Sequence, residues 1–177
     1  MIYKLAKYEH AHKEHINAYK MAHMIGTAEY MRERAKDYGL NPDVMYTVGL
    51  LHDIGYVDGR ADHERYGADI LKTMGVNDEI SFAVKYHGEN PYEIQERFGK
   101  EHISPVFVLL LEADMSVDAR GFRVGFEKRL EDIGHRYGYD HAAYATVQAN
   151  ISFIKSYQAE HGIGKPVKLY HKNNYER

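Results

Sequence analysis

Apolar residues recur along most of the chain at helical spacing, and no stretch shows the strict alternation of a half-buried strand. The pattern predicts a first helix from about Glu9 to Asp37, ending at Tyr38-Gly39, with Met21, Met24, Ala28 and Met31 on its core face. Asn41-Pro42 supplies an N-cap and a proline at the first helical position. The second helix carries Val44, Met45, Val48 and Leu51 and stops near Gly55. Asp62 is placed to cap a third helix ending at Gly75, and Asn77 or Asp78 a fourth ending near Gly88. A short helix runs from Asn90-Pro91 to Phe98, and Ser104-Pro105 opens the apolar segment VFVLLLEADMSV. Phe122 to His135 forms a weaker helix, and Asp140 caps a last one reaching about Glu160. These elements predict an all-α, single-domain helical bundle over residues 1–161, followed by an extended or frayed tail over 162–177.

On these helices several polar residues fall on the apolar stripe. Met45, Val48 and His52 lie at i, i+3 and i+7, with Asp53 directly after. His63 shares a face with Gly67 and Ile70, and His87 with Ile80, Ala83 and Val84. His23 sits at the edge of the first helix's core face, in line with Ile16 and Tyr30. Phe107, Leu110, Leu111 and Asp114 put a carboxylate on the most hydrophobic stripe of the chain. A buried carboxylate needs a positive partner, either Arg, Lys or a metal. Taken singly, each histidine reads as a core residue bonded to a carbonyl; taken together, five helices each aim a His or Asp inward.

Composition narrows the chemistry. The 177 residues include 12 histidines and no cysteine, which excludes a disulfide framework, a thiolate zinc site and a cysteine nucleophile. Imidazole and carboxylate suit Fe, Mn, Zn, Co or Ni. The net charge of -3 argues against a generic nucleic-acid or membrane-surface binder, while leaving room for a local basic pocket. The start of the chain lacks the apolar core of a secretory signal, and Val106 to Leu111 is too short to span a bilayer, so the expected location is cytoplasmic.

His23, His52-Asp53 in GLLHDIGY and Asp114 in LLLEADMS resemble the H…HD…D signature of the HD-domain superfamily of metal-dependent phosphohydrolases, over about Lys20 to Asp118. His63 in DHERYGADIL and His87 in AVKYHGE resemble the extended, two-metal set, and the chain looks similar to bacterial HD-type diadenosine-tetraphosphate hydrolases. The resemblance implies that His23, His52, Asp53 and Asp114 hold one metal and that His63 and His87 hold a second, with Asp53 bridging. It implies hydrolysis of a phosphate ester or anhydride, with a phosphorylated small molecule, a nucleotide, as substrate. The HD-GYP signature is absent after His87, and Tyr56 stands where the family often has lysine.

Basic groups for substrate phosphate are therefore sought at Lys20, Arg60, Lys85, Arg120 and Arg123. Glu64 is placed to orient a ligand or a water, as against a plain acid in a helix first turn. Of the 16 tyrosines, Tyr56, Tyr66, Tyr86 and Tyr92 lie near the motifs, and half-buried packing competes with a nucleobase pocket as their role. Asp53, Lys20 and Glu64 are the residues expected to take part in catalysis. Two rival functions remain: a mixed-valent diiron oxygenase on the same ligands, and a non-catalytic nucleotide sensor.

Overall fold

The computed structural model describes residues 16–58 and 62–164. Among them are eight α-helices: α1 Ala18–Arg34, α2 Pro42–Leu51, α3 His63–Thr73, α4 Asp78–Tyr86, α5 Pro91–Phe98, α6 Pro105–Ser116, α7 Phe126–Tyr137 and α8 Ala142–His161. Short 3-10 turns follow α1, α2 and α5, and a lone bridge pairs Val117 with Arg123. The expected all-α architecture is present.

Local chemistry sets the helix ends. Asn17, Asn41, Asn77, Asn90 and Ser104 each accept a backbone N–H of the first turn, and proline follows three of them. Four helix starts differ from the sequence reading. Asn17 is extended (φ -64°, ψ 160°), so α1 starts there rather than running through from Glu9; residues 9–15 lie outside the described residues. Asp62 makes no side-chain cap. The cap of α8 is His141, whose Nδ1 accepts the Ala143 N–H, and not Asp140. The helix sought at Phe122 begins at Phe126, because Gly121 to Gly125 is spent on the turn that follows Asp118. The expected tail lies outside the described residues beyond Gly164.

The core is built around α6. Val106 through Ala113 are all essentially inaccessible, and α1, α2, α4, α7 and α8 pack against this helix. An α-helix buried on every side has no polar face to reveal by periodicity. The α1–α2 pair is closer still: a Cβ on Gly49 would stand 2.6 Å from the Ala28 Cα. That approach sets His23 on α1 beside His52 at the end of α2, with ring centroids 5.4 Å apart. Gly55 does the same for the next pair, since a Cβ there would meet the His63 carbonyl oxygen at 1.8 Å. Among the described residues no helix is long and apolar enough to cross a membrane.

Candidate metal centre

His52 and His87 are the C-caps of α2 and α4, so each ring leaves its helix where the last carbonyls lack intrahelical partners. Their Nδ1 atoms take up those carbonyls, His52 at Gly49 O and His87 at Val84 O, both at 2.7 Å. His23 places Nδ1 3.1 Å from the Asp118 carbonyl, and His63 places Nδ1 3.2 Å from Glu64 Oε2. In three of the rings a hydrogen-bonded carbonyl therefore holds a proton on Nδ1, and at His63 the Glu64 carboxylate lies beside it. That fixes the tautomer and turns the Nε2 lone pair inward, the arrangement in which an imidazole ligates a metal.

The inward atoms converge on two carboxylates. Asp53 Oδ1 is 3.3 Å from His63 Nε2 and 3.5 Å from His87 Nε2. Its Oδ2 is 3.5 Å from His52 Nε2 and 3.0 Å from Lys20 Nζ. Asp114 Oδ1 is 2.9 Å from His23 Nε2. A neutral His23 ring carries one proton for its two oxygen neighbours, the Asp118 carbonyl and Asp114, so a second proton or a cation is needed to satisfy both. His52 Nε2 is fully buried and has no hydrogen-bond partner among the described residues. Two triads bring their ligand atoms within 4.8 Å of one another: His23, His52 and Asp114, and His52, Asp53 and His87. A buried set of orphaned nitrogen lone pairs and carboxylates is the donor set of a divalent transition metal, so the residues fit one.

Burial and charge act in opposite senses here. Burial pushes the His52 imidazole down to about 4, despite Asp53 beside it. At His87 burial is outweighed by hydrogen bonding and charge from Asp53, which raise the imidazole to about 9. Burial would raise the Asp53 carboxyl, but His52, His63, His87 and Lys20 together hold it well below the usual carboxylate range. At Asp114 the same burial effect is overcome chiefly by His23, with Arg129 adding to it, and that carboxyl also falls.

All six sequence-selected ligands thus meet in one place. His23 is buried at 5% exposure, deeper than the edge position read from its helix. Lys20 and Glu64 line the same cavity, of about 380 Å³, with Tyr56. Tyr56 stacks on His63 at 3.7 Å and carries the Lys20 ammonium 3.9 Å above its ring. Gly88 gives Glu64 room, since a Cβ there would be 2.5 Å from Glu64 Oε1.

The other cations do not join them. Lys85 lines a separate surface groove beside Phe82 and Tyr86. Arg120 is largely exposed and bonds Asp118, and Arg123 pairs with Glu33 at 2.6 Å across the Tyr30 ring. Arg60 lies outside the described residues. Tyr86 packs in an aromatic cluster with Phe82 and Phe98, Tyr92 packs on Phe153, and Tyr66 rests against the core.

Sequence reasoning missed Arg129, Arg136 and Tyr137 of α7, which line the cavity. A signal existed. Phe126, Arg129, Leu130 and Ile133 fall at i, i+3, i+4 and i+7, so Arg129 is a cation on an apolar stripe, as Asp114 is an anion on one.

Residues 21–120 match the family described as HD domain. Among curated proteins, the chain is 33% identical over 137 residues to Ribonuclease Y of Fervidobacterium nodosum, covering 71% of this chain and 25% of that protein. It is 32% identical over 139 residues to Ribonuclease Y of Rhodopirellula baltica, covering 71% and 24%. It is 31% identical over 135 residues to Ribonuclease Y of Thermotoga maritima, covering 70% and 25%. The chain spans about a quarter of the length of these curated relatives. No solved structure matches it.

Proposed function

The chain belongs to the HD-domain family, and on that footing we propose that it is a metal-dependent phosphohydrolase acting on a phosphate ester or anhydride of a nucleotide. The observation that carries the reading is the convergence of four Nε2 atoms on the carboxylates of Asp53 and Asp114, with three of the four Nδ1 atoms hydrogen-bonded to carbonyls from outside. A divalent ion, when bound, supplies Lewis-acid activation of water and of a phosphoryl oxygen.

The division of ligands supports two ions. The two triads share His52, and one Nε2 lone pair serves one ion. Assigning His52 to His23 and Asp114 leaves His87 to pair with His63, and the two oxygens of Asp53 face these two sets separately. Asp53 is then the bridge. Glu64, 3.2 Å from His63 Nδ1, is placed to orient that ring with its Nε2 inward. Lys20, fixed between Asp53 and the Tyr56 ring, brings a positive charge to the rim on which a phosphate would rest.

A second reading comes from the relatives, which are named ribonucleases: the scissile bond would then be an RNA phosphodiester. One experiment separates the two. The native protein is analysed for metal, then supplied with Mn, Fe or Co and presented with nucleoside mono-, di- and triphosphates, dinucleoside polyphosphates and a short RNA. Metal in the protein and phosphate released from the small nucleotides is the expected result. Cleavage of the RNA with the nucleotides left intact would replace the first reading by the second. A metal-loaded protein that cleaves nothing in the panel would end both.

A further inference from the structure

Helix α7 lies beyond the family-matched segment, yet it forms one wall of the cavity. Arg129, Ile133, Arg136 and Tyr137 recur at i, i+4, i+7 and i+8, which is one face of the helix. The opposite side is solvated, with Lys128 bonded to Glu131 and Asp132.

Arg129 is the telling residue. Its side chain is 12% exposed, and its Nε is buried without a hydrogen-bond partner. Its nearest acid is Asp114 Oδ1 at 3.9 Å, an oxygen already 2.9 Å from His23 Nε2. A guanidinium has five N–H donors, and desolvating it without spending them is unfavourable. Arg34 shows the structural alternative in this same molecule: its Nε is likewise without a partner, but its Nη1 and Nη2 bond Asp37, Glu112 and the Gly164 carbonyl. Among the described residues Arg129 has no such set for its terminal nitrogens. Its donors border a cavity whose opposite wall is the metal-ligating cluster. Two turns further on, Arg136 stands at the rim with no acidic partner among the described residues, and Tyr137 beside it stacks on His141. The two arginines are about 10 Å apart along the helix, and their long side chains can close on one ligand, where two phosphoryl groups give each guanidinium its own oxygens.

We propose that α7 reads the substrate, and that what it reads is the diphosphate of a small nucleotide. Arg129 holds the phosphoryl group nearest Asp114, Arg136 holds its neighbour, and Tyr137 stacks on the base. The inference rests on the hydrolase reading above and narrows its substrate. A cavity of about 380 Å³ is at the small-molecule end of binding sites. With a net charge of -3, the chain offers no basic excess to follow a polyanion.

The test is calorimetric binding of inorganic phosphate, inorganic pyrophosphate, ADP and a short single-stranded RNA to the Mn-loaded full chain. Pyrophosphate and ADP should bind more tightly than phosphate or RNA. R129Q and R136Q should each weaken pyrophosphate binding by about tenfold or more at unchanged metal content. Y137A should weaken ADP and leave pyrophosphate as it was. Arg136 is exposed, so R136Q keeps the test alive if R129Q folds poorly. Wild-type pyrophosphate affinity in R136Q, or RNA bound more tightly than ADP, overturns the proposal. Arginine-dependent pyrophosphate binding without phosphate release from any nucleotide would sink the hydrolase reading and leave α7 as a diphosphate reader. Normal phosphate release with binding indifferent to both arginines would do the reverse.

Discussion

Two carboxylates leave helix α6 two residues apart, one wholly buried and the other with 15% of its side chain exposed, and the protein treats them in opposite ways. Glu112 is wholly inaccessible and is met by donors alone. Tyr30 Oη donates at 3.0 Å, Tyr38 Oη at 2.6 Å and Arg34 Nη2 at 3.2 Å, while Gln158 Nε2 donates to the Tyr38 hydroxyl at 3.0 Å. Asp114 is met by an imidazole whose proton is tied up elsewhere and by an arginine held 3.9 Å away. The first is a closed account of hydrogen bonding: each acceptor has a donor, and nothing is left for a ligand. The second, together with Asp53, is an excess of acceptors in a buried place. Burial does not distinguish a structural carboxylate from a functional one; the kind of atom facing it does.

Removing the centre's hub tests the contrast most severely. D53A should lose bound metal and reduce phosphate release to background while still unfolding cooperatively, as read by metal analysis beside a circular-dichroism melt. Retained metal and activity would refute Asp53 as the bridge. R34M should do the converse. Leaving Glu112 buried without its cation should cost about 3–5 kcal/mol in urea unfolding, with metal per folded chain unchanged. If R34M instead lost metal at full stability, the two carboxylates would not be separable.

Smaller changes sharpen the same line. E64Q removes the carboxylate beside His63 Nδ1, and metal affinity should fall by about 10–100-fold with stability little altered. Y38F removes one donor from Glu112, at about 1 kcal/mol. Burial, with Glu112 beside them, raises the Tyr30 and Tyr38 phenols well above their ordinary value of 10.0. A raised folded-state value gives stability that is full below about pH 10 and is lost as pH climbs towards the folded values. The wild type should therefore weaken above pH 10, and Y38F should show a shallower alkaline loss.

The proposed ligands were legible in the sequence because they are polar residues at apolar register on short helices. His52, His63, His87 and Asp114 all broke a pattern that could be counted. Glu112 was passed over because it lies off the Phe107, Leu110, Leu111 row that picked out Asp114, and on a helix buried on every side a position off that row is no less buried than one on it. Arg129 did break a pattern, but on a helix whose start was set four residues early, so its stripe was not drawn. Lys85, Arg120 and Arg123 were chosen for nearness along the chain. The local backbone decides where such long side chains go, and theirs lead to a surface groove, to Asp118 and to Glu33.

The Arg34 bond to the Gly164 carbonyl joins residues 130 positions apart at 2.8 Å. It therefore works as a clasp on chain topology as well as a contact. The entropy of closing a loop grows only with the logarithm of its length, so so long a closure is little harder than one half its size. Once closed, it ties the end of α8 to the helix that carries His23. A chain cut before Gly164 would keep every candidate ligand, yet Arg34 would lose a fixed acceptor and α1 its tether to the far end of the bundle.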